Sequence, residues 1–215
     1  YWSREMRAHL EAALESGIHL GFFSANTGYW QIRFETCEKS KQANRIMICH
    51  KSAKRDPLSQ DISQSHLTSC QWRDEPVRRP EAQLLGVMYT ADPIDGDIII
   101  SNAEHWALKG TVLTVGSRLP GLLGYEVDCI HDSSPKNIDI LAISPWTKLN
   151  DATSHGSAHM TIYESGSKAL VFAAGTIQWS WALDDFNVPE LRDTKLNPAA
   201  QQLTLNILRR FIGVE

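Results

Sequence analysis

Residues 17–30 read GIHLGFFSANTGYW. Gly17 suits the end of a helix. IHLGFF follows with almost no polar residue, the pattern of a strand covered on both faces. It breaks into SANTG, a tight polar turn at the strand's carboxyl end. In many α/β hydrolytic enzymes such a turn presents a nucleophile. A nucleophile elbow needs a Ser or Cys between small residues, as in G-x-S-x-G, because the turn is strained. Ser24 has no flanking glycines. Asn26 offers something else: its amide can donate to a carbonyl oxygen, or it can simply stabilise the turn.

Working outward, Ser3 is placed to cap a helix whose Met6, Leu10, Ala13 and Leu14 fall on one face. Downstream, YWQIRFE alternates, with Trp30, Ile32 and Phe34 on one side. RIMICH is a further strand. Residues 51–80 are polar and carry three prolines, the composition of a long irregular and functional excursion. It is expected to deliver Glu81 towards the SAN turn. DIIISNAEHWALKGTVLTVG reads as β-rich, and LPGLLGYEVD as a Gly-rich turn in apolar sequence. IDILAISPW, AHMTIYES and KALVFAAG are three more strands. Asn197 then Pro198 announce a last helix with Leu203, Ile207, Leu208 and Phe211 on its apolar face and Gly213 at its end. The helix–strand alternation at both ends predicts one three-layer α/β domain over residues 1–215, with a mostly parallel central sheet containing residues 18–23 and an irregular, β-rich insertion around residues 51–128.

The chain has 215 residues and a formal net charge of −4, enough length for a real core. It shows no basic stripe, which argues against nucleic acid as a partner. No apolar run approaches the roughly 18 residues of a membrane-spanning helix. Cys37, Cys49, Cys70 and Cys129 have no metal-like spacing and read as scattered reduced thiols of a cytoplasmic protein. The chain opens directly with what looks like a helix, as if it began inside a larger protein.

Three groups of side chains could carry chemistry besides the turn. His155 and His159 form an HxxxH pair, but their surroundings read as a strand. There, four residues separate side chains by roughly 13 Å, too far to share a metal. His50, His66 and His105 are isolated and read as structural. Tyr1, Glu81, Glu126 and Asp128 are oxygen donors at element junctions. A buried carboxylate among them needs a partner, a metal or a raised pKa.

YWSREMRAHLEAALESGIHLGFFSANTGYWQIRFE, WRDEPVRRPEAQLLGVMY, LPGLLGYEVD and VFAAGTIQWSWALDD, in that order, resemble the C-terminal domain of the N,N-dimethylformamidase large (beta) subunit and its relatives. The resemblance implies a flavodoxin-like fold of the class I glutamine-amidotransferase-like type, without the cysteine that amidotransferases carry at the strand-end turn. It implies mononuclear ferric iron held by two tyrosines and a glutamate. Tyr1 in YWS matches one tyrosine and Glu81 in RPEAQLLG the glutamate; the other tyrosine would lie upstream of residue 1. It also implies a small-molecule amide substrate, a small partner subunit and a homo-oligomer. Such an ion suits hard anionic oxygens and can polarise an amide carbonyl. Glu126 is the expected proton acceptor and Asn26 an orienting donor. The rival reading is a non-catalytic module of the same fold, serving assembly or carbohydrate-related binding.

Overall fold

The structure is a computed structural model, which describes residues 1–186 and 193–214. In chain order its elements are β1 (Trp2–Ser3), α1 (Arg4–Glu15), β2 (Leu20–Phe22), β3 (Gln31–Glu35), β4 (Ile46–Ile48), α2 (Ala82–Leu85), β5 (Met88–Ile99), β6 (Arg118–Cys129), β7 (Ile138–Lys148), β8 (Asp151–Glu164), β9 (Leu170–Ala173) and α3 (Pro198–Phe211). Among the described residues they form three sheets, ordered β1-β3-β4, β2-β9-β8-β7 and β5-β6.

This is not the three-layer, mostly parallel domain that the strand–helix alternation predicts. Only β1 with β3 and β2 with β9 run parallel; the other pairs are antiparallel. The reason lies in the connections. A parallel pair needs a crossover of a dozen or more residues, usually a helix. Between β3 and α3 the described chain offers one α-helix, the four residues of α2. Leu149 and Asn150 alone join β7 to β8, and residues 165–169 join β8 to β9. Connections this short permit only antiparallel neighbours.

The stretch IHLGFF is correspondingly misread. β2 lies at the edge of its sheet, and Gly21 is exposed. Its phenylalanines reach sideways: Phe22 packs against Trp2 and Phe23 against Phe172, with centroids 6.2 and 5.1 Å apart. LPGLLGYEVD is also no turn, but the heart of β6. Gly124 (φ 144°) lets the backbone of β5 come so close that a Cβ there would sit 2.2 Å from the Ile94 carbonyl oxygen.

The main core draws on β5 and β6 (Ile94, Ile98, Leu119, Leu123, Val127), on β7–β9 (Leu141, Met160, Phe172) and on α3 (Leu203, Ile207). Ser3 caps α1 by accepting the Met6 N–H at 3.3 Å, and Asn197 caps α3 by accepting those of Ala199 and Ala200. Within α1 the face is rotated from the predicted one. Met6 is exposed, whereas Arg7 and Leu14 are buried. On α3, Leu208 faces outward while Phe211 stacks on His19. No helix among the described residues is long and apolar enough to cross a membrane.

Residues 51–80 run as turns and three short 3-10 helices (Ala53–Arg55, Pro57–Gln60, Ser65–Leu67). Asp56 organises them. It accepts from the backbone and hydroxyl of Ser69, from Leu58 N–H and from Arg33 of β3 at 2.5 Å. Burial pushes its carboxyl up, but these hydrogen bonds outweigh burial and hold it at about 2. Asp56→Ala should destabilise the protein by about 3–5 kcal/mol in urea titrations at pH 7, because it strips the buried Ser69 N–H and hydroxyl, the Leu58 N–H and the Arg33 Nη1 of their shared acceptor and leaves Arg33 only Glu35. A depressed carboxyl contributes stability above its unfolded value. The difference from the unmutated protein should therefore shrink as pH falls from about 4 towards 2.

Candidate functional site

The carboxyl ends of β2 and β9 meet where Ala174 N–H donates to the Phe22 carbonyl at 2.9 Å. The chain after β9 turns at Gly175 (φ 69°), whose Cβ, if present, would lie 2.1 Å from the His159 carbonyl oxygen. That close approach requires glycine. It brings the carbonyl of Gly175 to Asp128 N–H and Ile177 N–H to the carbonyl of Glu126, 3.0 and 3.2 Å. The last turns of β6 are thereby fastened beside the end of β2. Strand alternation sends Glu126 and Asp128 to the same face, towards the SANTG turn.

Asn26 closes the arrangement. Its backbone is left-handed (φ 53°), a conformation that Asn tolerates better than most residues. Its N–H donates to Asp128 Oδ1 at 2.9 Å, and its side-chain Nδ2 donates to Glu126 Oε1 at 2.9 Å. Because a carboxylate only accepts, the contact with Glu126 fixes the orientation of the amide. Asn26 Oδ1 is buried without a hydrogen-bond partner among the described residues. The structure thus joins Asn26 and Glu126, the two residues the sequence singles out for proton handling and carbonyl orientation.

Glu81, at the N-terminus of α2, is 2 % exposed. Arg73 holds it. Nε lies 3.2 and 3.1 Å from the two carboxylate oxygens, and Nη2 is 2.6 Å from Oε1. The same guanidinium donates Nη1 to the Tyr89 carbonyl at 3.1 Å and lies 5.2 Å from the Tyr29 ring centroid. Tyr29 in turn meets Tyr89 edge-on, and the Tyr89 hydroxyl donates to Asp92. Burial raises the pKa of both phenols.

Asp128 is wholly enclosed, and its carboxyl is pushed up to about 7. Burial is the main cause. The Asn26 N–H opposes it, the anions of Glu81 and Glu126 add to it, and Arg73 pulls the other way. Glu81, Arg73, Asp128 and Glu126 therefore form one electrostatic unit.

Tyr1 is 54 % exposed, with Lys51 Nζ 5.3 Å from its ring centroid. Ser24 donates its hydroxyl to the neighbouring Ala25 carbonyl at 3.4 Å. His155 and His159 lie on β8 as their strand reading requires. His159 accepts from Ile130 N–H, and burial lowers its pKa. Arg73, Tyr29, Tyr89 and Asp92 belong to the neighbourhood and carry no sequence signal that marks them. Asp128 does: its two-residue spacing from Glu126 predicts a shared face.

The sequence model of the family described as N,N-dimethylformamidase beta subunit-like, C-terminal, matches residues 1–194. The chain belongs to that family. No curated protein matches it. Within a dimethylformamidase-like domain, the iron attached by resemblance to Tyr1 and Glu81 can be tested on geometry. Both oxygens of Glu81 face the Arg73 fork, and Tyr1 has Lys51 over its ring. Both candidate ligand oxygens of Glu81 are already engaged by a cation, so this carboxylate as placed does not fit a ferric ion. Among the described residues no three His, Cys, Asp or Glu side chains are grouped to hold a metal ion.

The raised Asp128 carboxyl gives a signed prediction. A group with a raised folded pKa contributes stability that is complete below its unfolded value and is lost as pH rises through the folded one. Between about pH 4 and pH 7 the unmutated protein should therefore lose up to about 4 kcal/mol relative to Asp128→Asn, which cannot ionise there. Parallel urea titrations of the two proteins across this range measure it. A pH-independent difference would contradict the proton on Asp128.

Proposed function

We propose that this dimethylformamidase-like domain hydrolyses the C–N bond of a small amide, with Glu126 as the proton carrier and Asn26 as the carbonyl donor. What supports the reading is the Asn26 amide, pinned through its backbone by Asp128 and through its side chain by Glu126. The family description, which names an amide hydrolase, points the same way.

The chemistry follows from what each group can give. Asn26 Nδ2 carries two hydrogens. Glu126 takes one, which leaves the other for an amide carbonyl oxygen as it gains negative charge. Glu126 is half-buried and reachable from solvent. As a water oxygen bonds to the carbonyl carbon, the Glu126 carboxylate takes the water proton. As the C–N bond breaks, Glu126 returns that proton to the departing nitrogen, leaving a carboxylic acid and an amine. Asp128 stays behind Asn26 as a positioning residue. With its carboxyl pushed up to about 7 by burial, it holds the turn while putting less negative charge beside Glu126 than an ordinary aspartate would.

Glu126→Gln should lower turnover of a panel of small formamides and acetamides by about 10²–10⁴-fold. Asn26→Ala should lower it by about 10²-fold or more. Circular dichroism and thermal midpoint should show both variants folded. An unmutated protein that turns over none of these amides would defeat the reading and leave the binding or assembly module.

A further inference from the structure

The Arg73–Glu81 pair has more structure than an incidental ion pair. The guanidinium is fixed from three directions: by both carboxylate oxygens of Glu81, by the Tyr89 carbonyl and by the face of Tyr29. Arg suits such a place because its planar fork is rigid and cannot lose its charge. The carboxylate is buried at 2 % exposure, and an anion there needs a cation. Arg73 is also the cation that steadies Asp128 against the charges of Glu81 and Glu126. A metal ion approaching Glu81 would meet a guanidinium, a like charge, 2.6 Å from Oε1.

We infer that Arg73 is the resident counter-cation of the Glu81 site and keeps free metal ions off that carboxylate. The resemblance makes Glu81 an iron ligand; the geometry makes it the anionic half of a permanent organic ion pair. The site keeps an anion–cation arrangement of the kind a metal centre would have, with the cation supplied by the chain itself. Metal affinity at Glu81 is then gated by one side chain. It appears when Arg73 is removed and disappears again when Glu81 is neutralised.

The probe is terbium(III), a hard, oxygen-seeking trivalent ion whose luminescence is sensitised by nearby aromatic rings such as Tyr29. The unmutated protein and Glu81→Gln should bind it equally weakly. Arg73→Met should bind it at least about tenfold more tightly, and adding Glu81→Gln to that variant should abolish the gain. The inference is overturned if Glu81→Gln alone weakens terbium binding by that factor, or if folded Arg73→Met gains nothing. Should the variants not fold, the unmutated protein decides. The Arg73 Nε–H resonance should persist in excess lutetium(III), a diamagnetic ion of the same class. Its loss at one equivalent would overturn the inference.

Discussion

The delivery of Glu81 to the candidate site depends on a buried guanidinium that belongs to none of its chemistry. Arg7 projects inward from α1 at 2 % exposure and lies 4.8 Å from the Trp72 ring centroid. It donates to the carbonyls of Arg79 and Pro80 and to Glu11 Oε1. Glu11 also takes Arg79. A buried charge is tolerable only when it is paired and hydrogen-bonded, and two of these three partners are the residues that precede Glu81. The polar excursion of residues 51–80, which has little core of its own beyond Cys70, Trp72 and Val77, is thus tied to α1 at the point where it must deliver a carboxylate. Rotating α1 to bury Met6, as its apolar pattern suggests, would leave those carbonyls without their donor.

Downstream of that anchor the site is a problem in charge. Glu81, Glu126 and Asp128 share one neighbourhood with Arg73. Three carboxylates and one guanidinium cannot all be ionised there cheaply, since burial removes the water that would screen them. The structure relieves the excess where solvation is poorest: burial pushes the carboxyl of the fully enclosed Asp128 up to about 7, the half-exposed Glu126 faces solvent, and Glu81 takes the arginine. Asn26 links the first two from a left-handed backbone.

Much of this was legible, and what was not has identifiable causes. Ser3 and Asn197 announced their helices because capping is local and its residue preferences are strong. Asn26 stands out at the strand-end turn and Glu126 among the oxygen donors at element junctions, but the hydrogen bond that joins them is visible only in the structure. The sheet was misjudged because an apolar run such as IHLGFF does not distinguish a two-sided central strand from an edge strand whose phenylalanines reach sideways. Glycines in LPGLLGYEVD looked like a turn, whereas Gly124 serves the close approach of β5. Arg73 was invisible, since an arginine in a polar loop carries no mark of burial. Its role exists only once Glu81, Tyr29 and Tyr89 are assembled around it.

The family match stops at residue 194, yet α3 begins at Pro198 and is no appendage. Leu203 and Ile207 fill the main core, Trp179 donates its indole N–H to Thr204, and Asn206 bonds the carbonyls of Ala107 and Lys109. The matched stretch and the unit that folds therefore have different borders here. A chain cut at residue 194 would carry every residue of the candidate site and still expose the apolar floor of β5–β9 that α3 covers.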